Sequence, residues 1–126
     1  MAIVCAGTGD INTELLFEKE LGAIRTNVVG WTAAVDCIYN HFKQQDKGHL
    51  VTITSIGGLA GEPAAPAYSA TKAYQINYTQ ALRKKSKKTG IWLILIWQRE
   101  KVCFGLCHRK RLPNKLRKRL LVRDQR

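Results

Sequence analysis

Two unbroken apolar runs, "AIVCAG" at residues 2–7 and "IWLILI" at 91–96, and the β-branched segment "HLVTIT" at 49–54 are separated by two stretches of helical periodicity. A half-exposed antiparallel strand would alternate apolar with polar residues. Continuous runs instead suit strands buried on both faces, and the order strand, helix, strand, helix, strand suits parallel strands joined by helical crossovers. The expected fold class is therefore α/β: part of a doubly wound, Rossmann-like parallel sheet of about three strands with two long helices, covered on both faces.

Between the first two runs, Ile24, Val28, Trp31, Val35, Ile38 and Phe42 recur at spacings of three and four, which aligns them on one helix face. They predict a helix of about 20 residues starting at Ile24, with Gly48, the last residue of the polar "KQQDKG", as its stop. A second helix is expected over residues 66–88. Pro66 suits its first turn, "KKSKK" suits the negative end of its dipole, and Gly90 follows.

The 126 residues, 45% of them hydrophobic, have the length and composition of one domain. No apolar run approaches the roughly 18 residues of a membrane span, and the N-terminus lacks a charged region followed by a long apolar one, so a cytoplasmic location without membrane contact is expected. Four cysteines, at 5, 37, 103 and 107, are too few and too unevenly spaced for a disulfide framework. Cys5 and Cys37 are expected to be reduced and buried.

The net charge of +12 is unevenly divided. Residues 1–98 hold 10 Lys/Arg against 7 Asp/Glu, whereas residues 99–126 hold 11 against 2. Polyanion binding is thus not expected of the core. Helical and strand periodicity also stop near Trp97, which divides the chain into a core at 1–96 and a basic tail at 97–126. The tail is expected to be disordered or out of frame. With suitable synonymous codons and an Ile96 codon ending in A, its reading one nucleotide upstream begins M-A-K-G-E-S-L-F-W and continues into a helical "PEKAAKQITKAI". The competing reading takes "KLRKRLLVR" as a basic amphipathic helix and the chain as a non-catalytic interaction or nucleic-acid-binding fragment. Cys103, Cys107 and His108 offer three metal ligands without a fourth nearby, so no metal is expected.

The chemistry concentrates in "ITSIGGLAGEPAAPAYSATKA", residues 53–73. Tyr68 and Lys72 lie four residues apart, just over one helical turn, and so share a face of the second helix. An ammonium beside a phenol favours the phenolate, which suits proton exchange near neutral pH. Ser55 lies at the end of the second strand, the edge where parallel α/β proteins present ligand-binding groups, and the helix carrying Tyr68 starts from that edge. A hydroxyl and a phenol are thereby expected to converge on one small polar group.

Ser55, twelve intervening residues, Tyr68 and then "SATKA" resemble the active-site segment of the short-chain dehydrogenase/reductase family. "VTITSIGGLAG" is similar to that family's fifth strand and serine loop, "TNVVG" to its asparagine-bearing fourth helix, and "CAGTGDI" to the Asn-Ala-Gly turn after its fourth strand. The resemblance covers residues 2 to about 91 in the family's order. It implies hydride exchange between NAD or NADP and a small alcohol or carbonyl substrate. Tyr68 would be the acid/base, Ser55 would hold the carbonyl oxygen, and Lys72 would lower the tyrosine's pKa and bind the nicotinamide ribose. Asn27 would help seat a water of the proton relay. Ala6 and Gly7, with Tyr68 and Lys72, would border the cofactor. Cys5 stands where the family has Asn, which implies a loosened strand end. Homo-oligomers through the two long helices are also implied, with Trp31, Val35 and Phe42 as the face seeking a partner.

Two family features are not found in this sequence. "GTGD" at 7–10 carries only the first half of G-x-G-x-x-G, and "IWLILI" meets Trp97-Gln98 in place of a Pro-Gly turn. Against the family, the chain thus reads as truncated, with an open sheet edge, weakened cofactor binding and little activity expected of it alone.

Overall fold

The computed structural model describes residues 1–98. The residues form β1 (Ala2–Val4), α1 (Phe17–Ile24), a π-turn (Arg25–Gly30), α2 (Trp31–Gln44), β2 (Gly48–Ser55), a 3-10 turn (Ile56–Gly58), α3 (Pro66–Lys85) and β3 (Ile91–Gln98). The three strands form one parallel sheet in the order β1-β2-β3, with Ile3 opposite Val51 and Val51 opposite Ile94. The expected Rossmann-like parallel sheet of three strands with two long helices is therefore present. Of the basic tail read at 97–126, residues 99–126, with the frame, nucleic-acid and metal alternatives, lie outside the described residues, while Trp97 and Gln98 end β3.

The core forms where α2 and α3 meet one face of the sheet. Trp31, Val35, Tyr39 and Phe42 of α2 are buried with Val4, Leu50, Ile91 and Leu93, and Tyr74, Tyr78 and Leu82 of α3 pack against the cluster. Each large apolar side chain so buried contributes about 1.5–3 kcal/mol. Tyr74 and Tyr78 meet the Trp31 ring edge to face, at interplanar angles of 79° and 84°. The face of Trp31, Val35 and Phe42, expected to seek a second copy, is thus covered by the chain's own sheet and α3.

Polar bonds on the same sheet face seat α3 over β2. Thr52 Oγ1 meets Thr79 Oγ1 at 3.2 Å, and Thr54 Oγ1 donates to the Lys72 carbonyl at 3.4 Å. Among the described residues both long helices lie on this one face. The expectation of cover on both faces is corrected accordingly: Ile3 and Trp92, on the opposite face, are 56% and 64% exposed. Alternation hid within the apolar runs, because the outward positions of β3 are apolar too.

Several boundaries differ from the sequence reading. Helical structure begins at Phe17, seven residues before Ile24, because Leu15, Leu16 and Phe17 are exposed and give no inward-facing pattern. Helix α2 stops at Gln44 and the left-handed turn is taken by Asp46, at φ 48°, rather than by Gly48. Gly48 instead opens β2 where a β-carbon would lie 2.2 Å from the Phe42 ring. Helix α3 ends at Lys85, three residues early, with Arg83, Lys84 and Lys85 at the negative end of its dipole. Strand β3 runs on to Gln98. Cys5 and Cys37 are free, as expected, but both are exposed: Cys5 lies beyond the short β1, and Cys37 lies on the outward side of α2.

The loop between β1 and α1 is laced to the entrance of α3. Asn12, 2% exposed, donates its backbone N–H to Ala64 O at 2.7 Å and accepts from Leu16 N–H at 2.9 Å through Oδ1. Its Nδ2 reaches Glu20, whose other carboxylate oxygen accepts the Ala67 N–H at 2.9 Å. A carboxylate thereby occupies the positive end of α3, one residue before Tyr68.

Candidate active site

Ser55 closes β2 with extended backbone, and its Oγ accepts the Gly57 N–H at 3.1 Å, capping the 3-10 turn. The chain then loops to Pro66, which opens α3 and places Tyr68 in its first turn. Gly57 sits between the two hydroxyl-bearing residues: a β-carbon there would lie 3.4 Å from Ser55 Oγ and 3.7 Å from Tyr68 Cε1. On its other side the Tyr68 ring rests on Gly9, where a β-carbon would come within 2.5 Å of Cδ2. The glycines of both loops are therefore spacers for one aromatic ring.

Lys72 follows one turn later and is 5% exposed. Its Nζ lies 5.7 Å from the centre of the Tyr68 ring and donates to Gln75 Oε1 at 3.1 Å. A buried ammonium requires such acceptors and a polarisable neighbour. It also lies against the turn after β1, since a β-carbon on Gly7 would fall 2.2 Å from Nζ. Ala6 and Gly7 are exposed, so this turn offers bare backbone beside a cation.

Asn27, fully buried in the π-turn, fastens that loop in place. Its Oδ1 accepts the Thr8 N–H at 2.7 Å, and its Nδ2 donates to Thr8 O at 2.6 Å and to Thr71 Oγ1 at 2.9 Å. Thr71 in turn donates to the Tyr68 carbonyl at 2.9 Å. The turn bearing Cys5 is thus braced from Asn27, whatever contacts an asparagine at position 5 would add.

The four residues selected from the sequence, Ser55, Tyr68, Lys72 and Asn27, lie with Ala6 and Gly7 in one connected region at the C-terminal ends of β1 and β2. Sequence reasoning missed Thr8, Gly9, Glu20, Thr71 and Gln75. Only Gln75 carried a signal: an amide three residues after Lys72, on the buried side of α3. Among the described residues no cluster of His, Cys, Asp or Glu is able to hold a metal. None of their helices is long and apolar enough to cross a membrane.

Residues 3–97 match the sequence model of the family described as short chain dehydrogenase. The chain belongs to the short-chain dehydrogenase family. An uncharacterized oxidoreductase of Myxococcus xanthus is 30% identical over 99 residues, covering 77% of this chain and 39% of that protein. An acetoacetyl-CoA reductase of Acinetobacter is 30% identical over 78 residues, covering 62% of this chain and 32% of its own length. This short-chain dehydrogenase chain therefore spans well under half of the curated relatives it matches. Its fold is similar to that of serine dehydrogenase from Escherichia coli, with a TM-score of 0.69 at 22% identity over 77% of this chain and 47% of the other. It is also similar to ElxO with NADP bound, with a TM-score of 0.63 at 28% identity over 71% of this chain and 38% of the other.

Proposed function

We propose that this site carries the proton-transfer half of a hydride exchange between NAD or NADP and a small alcohol or carbonyl compound, in the cytoplasm. The observation that carries the reading is the stacking of three groups at one sheet end. Lys72 Nζ lies against Gly7, the Tyr68 ring is 5.7 Å from that ammonium, and Ser55 Oγ faces the same ring across Gly57. The names of the relatives, an oxidoreductase and a reductase, support the same direction.

In this reading Tyr68 gives its phenolic proton to the carbonyl oxygen during reduction and takes it back during oxidation. Ser55 Oγ already accepts the Gly57 N–H, which leaves its own proton to donate to that oxygen. The fixed Lys72 cation stabilises the negative charge that Tyr68 acquires as its proton leaves. Asn27 braces the turn, and a relay water would reach it only as a second donor to its Oδ1 or carbonyl, because both Nδ2 hydrogens are spent on Thr8 O and Thr71 Oγ1.

The residues fit a nicotinamide nucleotide. Lys72 brings an ammonium with N–H donors for ribose hydroxyls, Tyr68 borders it, and Ala6 and Gly7 allow close approach to bare backbone. When bound, the cofactor supplies or takes the hydride. Pairing of two copies would use the outward stripe of Val29, Ala33 and Cys37, which is exposed, rather than the buried Trp31 face.

The test is cofactor binding followed by turnover. NAD or NADP at about 100 times its dissociation constant should stabilise the chain by about 2.7 kcal/mol, and Lys72→Met should remove the effect. Little turnover is expected of this chain alone; in the residual reduction of small ketones, Tyr68→Phe should abolish the rate while keeping cofactor binding, and Ser55→Ala should lower kcat about 100-fold. An unfolding midpoint indifferent to both cofactors, or full turnover by Tyr68→Phe, would overturn the proposal.

A further inference from the structure

The π-turn and the buried ammonium are joined by a residue outside the catalytic set. In an α-helix the Trp31 N–H would donate to the carbonyl four residues back, that of Asn27. Here it donates to Thr26 O and Val28 O. The Asn27 carbonyl instead accepts Gln75 Nε2 at 2.9 Å. The other end of the same amide, Oε1, accepts Lys72 Nζ at 3.1 Å. Gln75 is fully buried, and its carbonyl accepts Thr79 Oγ1 at 2.8 Å, so the backbone beneath the amide is also tied.

We propose that Gln75 is a positioning residue: its amide clamps the Lys72 ammonium to the Asn27 carbonyl that the π-turn releases, and so aims that ammonium at Gly7 and Tyr68. A lysine side chain has four rotatable bonds, and burial alone does not choose among their arrangements. An amide does choose, because its two ends are chemically distinct. Nε2 must face a carbonyl and Oε1 must face a donor, which the helix carbonyl and the ammonium supply. The widened turn and the glutamine are then two halves of one device.

The proposal rests on the functional reading only in treating Lys72 as a site residue, and its test is read without turnover. In the full chain labelled with nitrogen-15 and carbon-13, NMR reports proton exchange at Lys72 Nζ and the carbonyl shift of Asn27. Gln75→Leu should speed Lys72 exchange about tenfold, the scale of one charge-assisted hydrogen bond, and should move the Asn27 carbonyl signal. Gln75→Glu should keep Lys72 protected, since a carboxylate still accepts its protons, yet move the Asn27 carbonyl because the donor is gone. That split separates a clamp from a packing role, in which leucine would leave the Lys72 signal in place. If the leucine variant does not fold, the glutamate variant decides alone. Unchanged Asn27 and Lys72 signals in the folded variants would overturn the proposal. If the clamp signals respond but neither NAD nor NADP perturbs Lys72 in the unmutated chain, the clamp stands and the functional reading falls.

Discussion

Asn27 and Thr8 hold each other through a two-point bracket, the Thr8 N–H on Oδ1 at 2.7 Å and the Asn27 amide on Thr8 O at 2.6 Å. The bracket joins residues 19 positions apart, one from the π-turn and one from the loop that carries Gly7 and Gly9. Both glycines touch the site, Gly7 at the ammonium and Gly9 at the tyrosine ring. The loop's height above the sheet is therefore set from the helix.

Replacing Asn27 by Ala removes both contacts to Thr8 and the bond to Thr71, and leaves buried groups unpaired. Chemical denaturation should show a loss of about 2–3 kcal/mol. A loss below about 0.5 kcal/mol would mean that the loop is held by other means.

Gly58 and Gly61 lie in the loop between β2 and α3 but should respond differently to alanine. A β-carbon on Gly58 would lie 2.7 Å from the Lys72 carbonyl carbon and 2.8 Å from Ala73 N, both backbone atoms of α3, whereas nothing lies within 4 Å of one on Gly61. Gly58→Ala should cost about 1–3 kcal/mol and Gly61→Ala less than about 0.5 kcal/mol. Equal unfolding midpoints for the two would contradict the packing of the serine loop on α3.

Glu20 places a carboxylate on the Ala67 N–H, next to Tyr68. Glu20→Ala should lower stability by about 1 kcal/mol, the usual scale of a lost helix cap. Amide hydrogen exchange should rise in the first turn of α3 and leave the last turn unchanged; uniform exchange along the helix would refute the local role.

Tyr78 donates to Asp36 at 2.6 Å and so ties α3 to α2. That hydrogen bond, then burial and the Asp36 charge, push the phenol up from 10.0 to about 12. A raised folded value means that the unfolded chain loses this proton first. The pair's contribution is then complete below pH 10 and disappears as pH rises toward 12. Unfolding of Tyr78→Phe should depend less steeply on pH across that window than unfolding of the unmutated chain. Identical slopes would remove the assignment.

The sheet, α2 and α3 were legible because burial imposes a pattern: Trp31, Val35 and Phe42 had to share a side, and so did Tyr68 and Lys72. The start of α1 was not, because Leu15, Leu16 and Phe17 are exposed and their hydrophobicity does not mark the core. The site's hydroxyl, phenol and ammonium were found through spacing along one strand end and one helix. The groups that steady them escaped: Thr8 and Thr71 meet Asn27 across 19 and 44 positions and have no periodicity of their own, and Gln75, although three residues from Lys72, reaches Asn27 across 48. The π-turn escaped for a further reason: "RTNVVG" contains no residue that requires a widened turn, and the carbonyl of Asn27 is met by Gln75, 48 residues away.

A widened helical turn holds an additional residue within nearly the same axial rise. Its existence is thus a matter of counting as well as chemistry. Removing one residue between Arg25 and Gly30 would let the turn close to an ordinary α-helical one, leaving the segments on either side in nearly their present register while returning the carbonyl that Gln75 reaches to the helix ladder. Side-chain exchanges at these positions tune the arrangement, whereas a single-codon gain or loss creates or erases it.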